Sequence, residues 1–424
     1  MAQNGMNRPK RCIKLSDIIS LRDTDEGSKP KHAVVSCIHL SHKQQSLPRE
    51  SQRRGSRRQC VEPSRFSSVD PLSFAGSEGG AAGTAGANLM TILRLTRLVL
   101  RAALSLAALL AVLWATAALW IDGPDSRLLA GTLAGCLLLT VLLFAFWIRP
   151  FWRALGAVLV PFAVVLAWWL SLEPSNDRDW RPEVARLPTA TIDGSKLTIR
   201  NVRSFRYSSE DSFTEHWETR TYDLDTLVGG DIFISFWGPE LYGHTIASWE
   251  FNDGRHLAVS IETRKERGEQ YSALRGFFRQ FELYYVVADE ADVVALRTNH
   301  RGERVELYRT LSPPGAEREL LLDYLREINA LAENPRWYNA LTHNCTTTIW
   351  HHIKAVGADF PMDWRLLANG YLAELAYELG TVNTSIGFHE LKKRSDITAR
   401  ARATGSDEAF SESIREGLPE RPGL

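Results

Sequence analysis

The sequence predicts three membrane-spanning helices followed by an α+β domain, an antiparallel sheet with helices on one side. Three observations predict it. Uncharged apolar runs of bilayer length are confined to 102–172. Strand-like alternation with turn signals begins near 188. Helical periods return only after 316.

Taken in order, residues 1–89 are polar and basic, with stretches such as RESQRRGSRRQ and GSEGGAAGTAGAN that offer no apolar period. They are expected to be a disordered extension. Met90, which opens MTILRLTRLVLR, reads as a natural start just ahead of the first helix. Over the whole chain 50 basic residues balance 50 acidic ones, so no global field favours nucleic acid.

Residues 90–172 form the predicted anchor. Its spans are AALSLAALLAVLWATAALWI (102–121), LLAGTLAGCLLLTVLLFAFW (128–147) and ALGAVLVPFAVVLAWWLSL (154–172). Each is about the length that crosses a ~30 Å hydrocarbon core, and Trp120, Trp147, Trp152, Trp168 and Trp169 sit near span ends, where amphipathic rings suit the interface. Arg94, Arg97 and Arg101 precede the first span, and Arg149 and Arg153 lie between the second and third; the other two flanks are acidic on balance. The positive-inside rule therefore places the N-terminus in the cytoplasm and everything from 173 outside it. No acidic or basic residue lies in mid-span, which argues for anchors rather than a transport path.

After a linker, 173–190, the domain is expected over 191–395, with a polar tail at 396–424. ATIDGSKLTIRNVRSFRYSS alternates around an Asp-Gly turn, and HTIASWEFNDGRHLAVSIETR (244–264) is two alternating runs around Asn-Asp-Gly, a hairpin signal. FELYYVVA and DVVALRTNHRGERVELYRT give further strands. ERELLLDYLREINALAEN and TTTIWHHIKAVGA read as helices, the second stopped at Gly357. In the hairpin, Ala247, Trp249, Phe251, Leu257, Val259 and Ile261 share the core face by alternation. His244 and Glu262 share the other face. With the turn at Asp253–Gly254 they lie nearly opposite one another at its far end.

Of the five cysteines (Cys12, Cys37, Cys60, Cys136, Cys345), only Cys345 belongs to this domain, so no disulfide forms within it. A lone thiol in an oxidising compartment points to reactivity. Cys345 falls at the start of a helix, where free N–H groups and the dipole favour thiolate, and Asn344 or Thr342 is placed to cap that helix. A strand-borne imidazole with a third polar partner would complete a nucleophilic pair. His244 and Glu262 fit those roles, with His256 the alternative third residue. The competing readings are plain ones: Cys345 as a small buried hydrophobe, His244 as a strand-end residue, Glu262 as part of a solvated charged run. His343, Cys345, His351 and His352 are dense, but they lack metal-site spacing, so no metal and no cofactor is expected.

These residues carry a family resemblance. YGHTIASWEFNDGRHLAVSIETRKE together with RWYNALTHNCTT resembles the Lnb N-terminal periplasmic domain family, over roughly 195–395. That family is similar to the permuted papain-like folds of the lecithin:retinol acyltransferase and NlpC-type groups, in which the histidine strand precedes the cysteine helix. The resemblance implies that Cys345 is an acyl-accepting nucleophile, His244 its base, Glu262 or His256 the third residue, and Asn344 or a nearby N–H an oxyanion donor. It further implies a periplasmic, cysteine-dependent acyltransferase in a bacterial inner membrane, moving an acyl chain within a lipoprotein N-terminus through a thioester. The implied partners are the bilayer and a membrane lipid or lipoprotein substrate. An envelope cysteine peptidase or amidase, or a non-catalytic lipid- or partner-binding domain, are the alternatives. Nucleic acid is not an expected partner, since no basic-aromatic stripe is present.

Overall fold

The computed structural model describes residues 80–358, 360–405 and 409–421, with side chains from 88 onward. Most of the expected N-terminal extension lies outside those residues. Its last ten, 80–89, are helical and open α1 (Gly80–Ile121). Next come α2 (Arg127–Trp147), whose first turn is capped by Ser126 accepting from the Leu129 N–H, and α3 (Phe151–Leu170). Three helices, Asn88–Ile121, Arg127–Trp147 and Phe151–Leu170, are long and apolar enough to cross a membrane. They meet through a small seam of Ala115, Leu137 and Val165. Only 11, 17 and 11 % of the spans is buried, so their leucine-rich outer surface needs an apolar surrounding.

The segment 173–188 runs along the domain rather than standing off it. The Asn176 side-chain amide donates to Leu331 O and Ala332 O, and Trp180 is buried under the Arg264 guanidinium, 4.1 Å from its ring.

The strands are β1 (Thr189–Asp193), β2 (Lys196–Arg203), β3 (Arg206–Tyr207), β4 (Phe213–Thr214), β5 (Trp217–Asp223), β6 (Leu227–Phe236), β7 (His244–Phe251), β8 (His256–Arg264), β9 (Glu282–Ala288) and β10 (Arg304–Arg309). Among the described residues, eight of them form one open sheet in the order β1-β2-β9-β8-β7-β6-β10, with β5 also on β2; β3 and β4 pair separately. Every pairing is antiparallel except the single β2–β9 contact, Arg203 with Ala288.

The helices cover both faces of the sheet, not the one face the sequence suggested. On one, α5 (Ala316–Glu333) and α6 (Cys345–Ala355) pack Leu321, Tyr324, Leu325 and Ile349 against Trp249, Phe251, Leu257, Val259 and Ile261. On the other, α4 (Glu290–Ala295), α9 (Thr398–Thr404) and α10 (Phe410–Ser413) bury Ile397, Ala401, Phe410 and Ile414 against Ile246, Ala258 and Val286. The segment expected as a polar tail thus contributes to a core. β8 and β9 are consequently buried on both faces, which is why FELYYVVA reads as a continuous apolar run rather than an alternation. A third cluster joins α7 (Leu372–Glu378) and α8 (Phe388–Ser395) to β6 and β10.

Candidate active site

The helix that opens with Cys345, α6, starts where its sequence dictates. Asn344 has extended backbone and accepts the Thr346 and Thr347 N–H groups on its Oδ1, each at 2.9 Å, while Thr347 Oγ1 accepts the Asn344 N–H at 3.0 Å. This reciprocal cap makes Cys345 the first helical residue, where the N–H has no intrahelical acceptor. It also commits Asn344. The Asn344 Nδ2 donates to Ala340 O at 2.8 Å, so its side chain points away from an oxyanion role.

Cys345 is 8 % exposed, beneath the end of β7 where His244 opens the strand. The hairpin pairs Ile246 with Ser260, and the same register carries His244 to Glu262. His244 Nε2 lies 2.7 Å from Ser260 Oγ and 3.2 Å from Glu262 Oε1, and the Ser260 hydroxyl donates to the same carboxylate oxygen at 2.8 Å. Nε2 is thus engaged, and the Cys345 thiol lies close enough to this imidazole for each group to shift the other's ionisation. Arg297, buried on the π-helical turn Leu296–His300, donates to Glu262 Oε1 at 2.7 Å and fixes the carboxylate from behind.

The electrostatics follow. Burial disfavours the charged imidazolium, but Glu262 outweighs it and raises His244 to about 9. Burial likewise opposes the thiolate, yet the bond to His244, the imidazolium charge, and donation from the Thr245 N–H and Thr346 lower Cys345 below an ordinary thiol. Glu262 is held well below the usual carboxylate range against burial, by His244 first and Arg297 second. Each of the three shifts runs in the direction that favours a thiolate beside an imidazolium.

Asn369, absent from the expected set, completes the site. Its Oδ1 accepts the Gly243 N–H at 2.7 Å, and its Nδ2 donates to Thr346 Oγ1 at 2.9 Å and approaches Cys345 Sγ at 3.6 Å. One carboxamide therefore ties the residue before the base to the turn carrying the nucleophile. The next residue shows how tight the fit is: a Cβ on Gly370 would fall 1.7 Å from Glu240 O. Ser260, Arg297 and Asn369 were missed for different reasons. Ser260 sits two residues before Glu262 on the same strand face, a signal that was available. Arg297 and Asn369 arrive from distant elements with no local signature.

His256 does not join this site. It lies at the opposite end of β8, paired with Glu250, with Nδ1 near Gly254 O at 3.1 Å and no partner for its buried Nε2. Asp231, Glu250 and His256 bring ligand atoms within 4.8 Å of one another. The two carboxylates are occupied, however: Asp231 by Arg415 and Arg421, each at 2.6 Å, and Glu250 by Arg309 at 2.6 Å and by Arg421. Nor do the histidines near Cys345 converge. His343 stacks with His351, while His352 is buried between Asp323 Oδ2 and Tyr285 OH, both at 2.7 Å.

Fold and site together define a domain preceded by three apolar helices, with a buried cysteine, histidine and glutamate set where β7, β8 and α6 meet. Residues 213–370 match the family described as the Lnb N-terminal periplasmic domain, a stretch that spans every residue of this constellation. No curated protein and no solved structure matches the chain.

Proposed function

We propose that this protein is a membrane-anchored, cysteine-dependent acyltransferase, with its domain on the periplasmic side of a bacterial inner membrane and its N-terminus in the cytoplasm. The observation that carries the reading is Cys345 at a capped helix start, beside an imidazole whose Nε2 is held by Ser260 and Glu262. The order of histidine strand and then cysteine helix supports a permuted papain-like relationship.

In the first half-reaction the Cys345 thiolate attacks the carbonyl of a lipid or lipoprotein glyceryl ester. The tetrahedral oxyanion is met by the Cys345 N–H and by Asn369 Nδ2, which already points at the sulfur. Collapse expels the alcohol, which takes its proton from the His244 imidazolium, and leaves a thioester on Cys345. In the second half-reaction an amine attacks the thioester, His244 accepts the proton the amine loses, and the thiolate departs. The amine in this reading is the α-amine of the lipoprotein's own N-terminal cysteine.

Intact-mass measurement of the detergent-solubilised full chain, given a diacylglyceryl ester donor, tests the reading. Wild type is expected to gain one hydroxylamine-labile acyl group, and Cys345→Ser and His244→Ala none. Adducts with a peptide-derived electrophile but never with a lipid ester would favour a peptidase or amidase. A Cys345 that reacts with neither would remove the enzyme reading.

A further inference from the structure

The loop between β8 and β9 carries more exposed apolar surface than its length warrants, and it touches the membrane helices. Phe278 stacks on Trp114 with ring centroids 6.4 Å apart. Trp114 precedes the end of α1 at Ile121 by seven residues. At about 1.5 Å of rise per residue, that is roughly 10 Å inside the span from its domain-side end. The next residue locks this depth. Arg279 donates its backbone N–H to Asp122 Oδ2 at 3.2 Å and its guanidinium to Leu170 O and Leu172 O, and it lies 4.4 Å over the Trp169 ring. Leu274 and Phe277, four and one residues before Phe278, are 64 and 41 % exposed among the described residues.

The same loop leads to the thiol. Gly276 O accepts the Ala340 N–H at 2.7 Å, and a Cβ on Gly276 would meet Ala340 and Tyr338 at 3.3 Å. Those residues open the turn that ends at Cys345, and Leu341 beside them is 54 % exposed. Trp337 and Trp350 are engaged elsewhere: Trp337 under Arg178 and against Leu172 O, Trp350 on Phe360 O.

We infer that the β8–β9 loop, through Leu274 and Phe277, is inserted into the leaflet on the domain's side of the membrane, and that acyl chains of that leaflet reach Cys345 along this loop and the 338–341 turn. The occupant is bilayer lipid, because the apolar surface is continuous with the contact that Phe278 and Arg279 make on the spans themselves. The insertion stands on its own geometry; the route to Cys345 rests on the acyl-transfer reading above.

The test places p-benzoylphenylalanine singly at Leu274, Phe277, Trp120 and Asp253 in the full chain, reconstituted in nanodiscs of phosphatidylethanolamine and phosphatidylglycerol. Trp120, exposed on α1, reports a position within a span, and Asp253 lies in the hairpin turn at the end of β7 away from His244. Lipid adducts after irradiation are expected at 274 and 277 within about threefold of the yield at 120, and none at 253. Yields at 274 and 277 as low as at 253, with 120 labelled, would overturn the insertion. The double variant Leu274→Asp, Phe277→Asp is expected to lower acylation of Cys345 by bilayer lipid ester about tenfold or more. Its labelling by water-soluble iodoacetamide, read on the Cys345 peptide, should stay within about twofold of wild type, since the solvent-side geometry is untouched. Unchanged acylation would overturn the route. A wild type that never acylates Cys345 would remove the acyl-transfer reading while leaving the cross-links to decide the insertion.

Discussion

The two ends of the β7–β8 hairpin each set a histidine across from a glutamate. At one end His244 lies 3.2 Å from Glu262; at the other His256 pairs with Glu250. Both pairs share one face of the same two strands, so strand geometry alone does not distinguish them. What differs is the company. At the first end Arg297 holds Glu262 from behind, Ser260 bridges to the imidazole, and a thiol from the cluster on the opposite face of the sheet couples to that imidazole. At the second, Arg309, Arg415 and Arg421 saturate Asp231 and Glu250, with Arg415 also on Glu290 at 2.6 Å. Burial opposes ionisation of Glu290, but Arg415 and His256 hold it ionised, down to about 2. One pair sits next to a thiol; the other is a clasp that fastens the C-terminal segment onto β6 and β7. An unpartnered ring nitrogen is not enough, since His256 keeps one at Nε2; what sets the first end apart is the thiol beside its imidazole.

The comparison breaks most completely if the base is removed. His244→Ala should lower thioester formation about 10³-fold, within the range for loss of a general acid–base group, while His256→Ala should change it less than about twofold. Parallel acylation rates check both. Next comes Gly370→Ala, whose methyl collides with Glu240 O. Displacing the loop that enters His244 should cost about 10²-fold in activity, as misplacements near 1 Å do, with a lowered melting temperature. Asn369→Ala should cost on the order of 10²-fold in acylation rate if its amide meets the oxyanion, and much less in iodoacetamide labelling, which forms no oxyanion.

The clasp sharpens the contrast from the other side. Arg415→Met leaves the buried Glu290 without its guanidinium partner and takes one of two close arginines from Asp231, which keeps Arg421; it should destabilise the fold by about 3–5 kcal/mol by chemical denaturation. Cys345 alkylation well below the unfolding transition should be unaffected. The smallest effect is a pH dependence of stability. Because His244 is raised from 6.5 to about 9 on folding, its contribution is complete below about 6.5 and disappears as pH rises through about 9. Glu262, lowered on folding, contributes above its ordinary value of 4.5 and loses that contribution as pH falls. Wild type should therefore lose melting temperature across pH 7–9 relative to His244→Ala.

Much of this site was legible in the chain. Strand alternation and the Asp253–Gly254 turn fixed the shared face and near-opposition of His244 and Glu262, because a side-chain period of two and a tight turn leave little freedom of register. The cap at Asn344 and the start of α6 followed from local hydrogen-bonding chemistry. The second face of the sheet was not legible. Ile397, Ala401, Phe410 and Ile414 are spread through charged, short helices whose apolar positions are too few to show a period, and their partners lie on strands more than a hundred residues earlier. The same long-range assembly hid Arg297 and Asn369. It also separates Glu262, which lies beside His244, from His256, which lies at the other end of the hairpin among arginines from β10 and the C-terminal segment.

The central claim is that Glu262 and His244 hold Cys345 as a thiolate. The most direct test is the alkylation rate of Cys345 as a function of pH, followed on its own peptide in wild type and in Glu262→Gln. Wild type is expected to react at neutral pH with a midpoint below that of an ordinary thiol. In Glu262→Gln, loss of the carboxylate lets burial lower the imidazole again, so the charged pair is lost at lower pH and neutral-pH reactivity falls about tenfold. A Cys345 that titrates at or above the ordinary thiol value of 9.0, with the same profile in both proteins, would contradict the account.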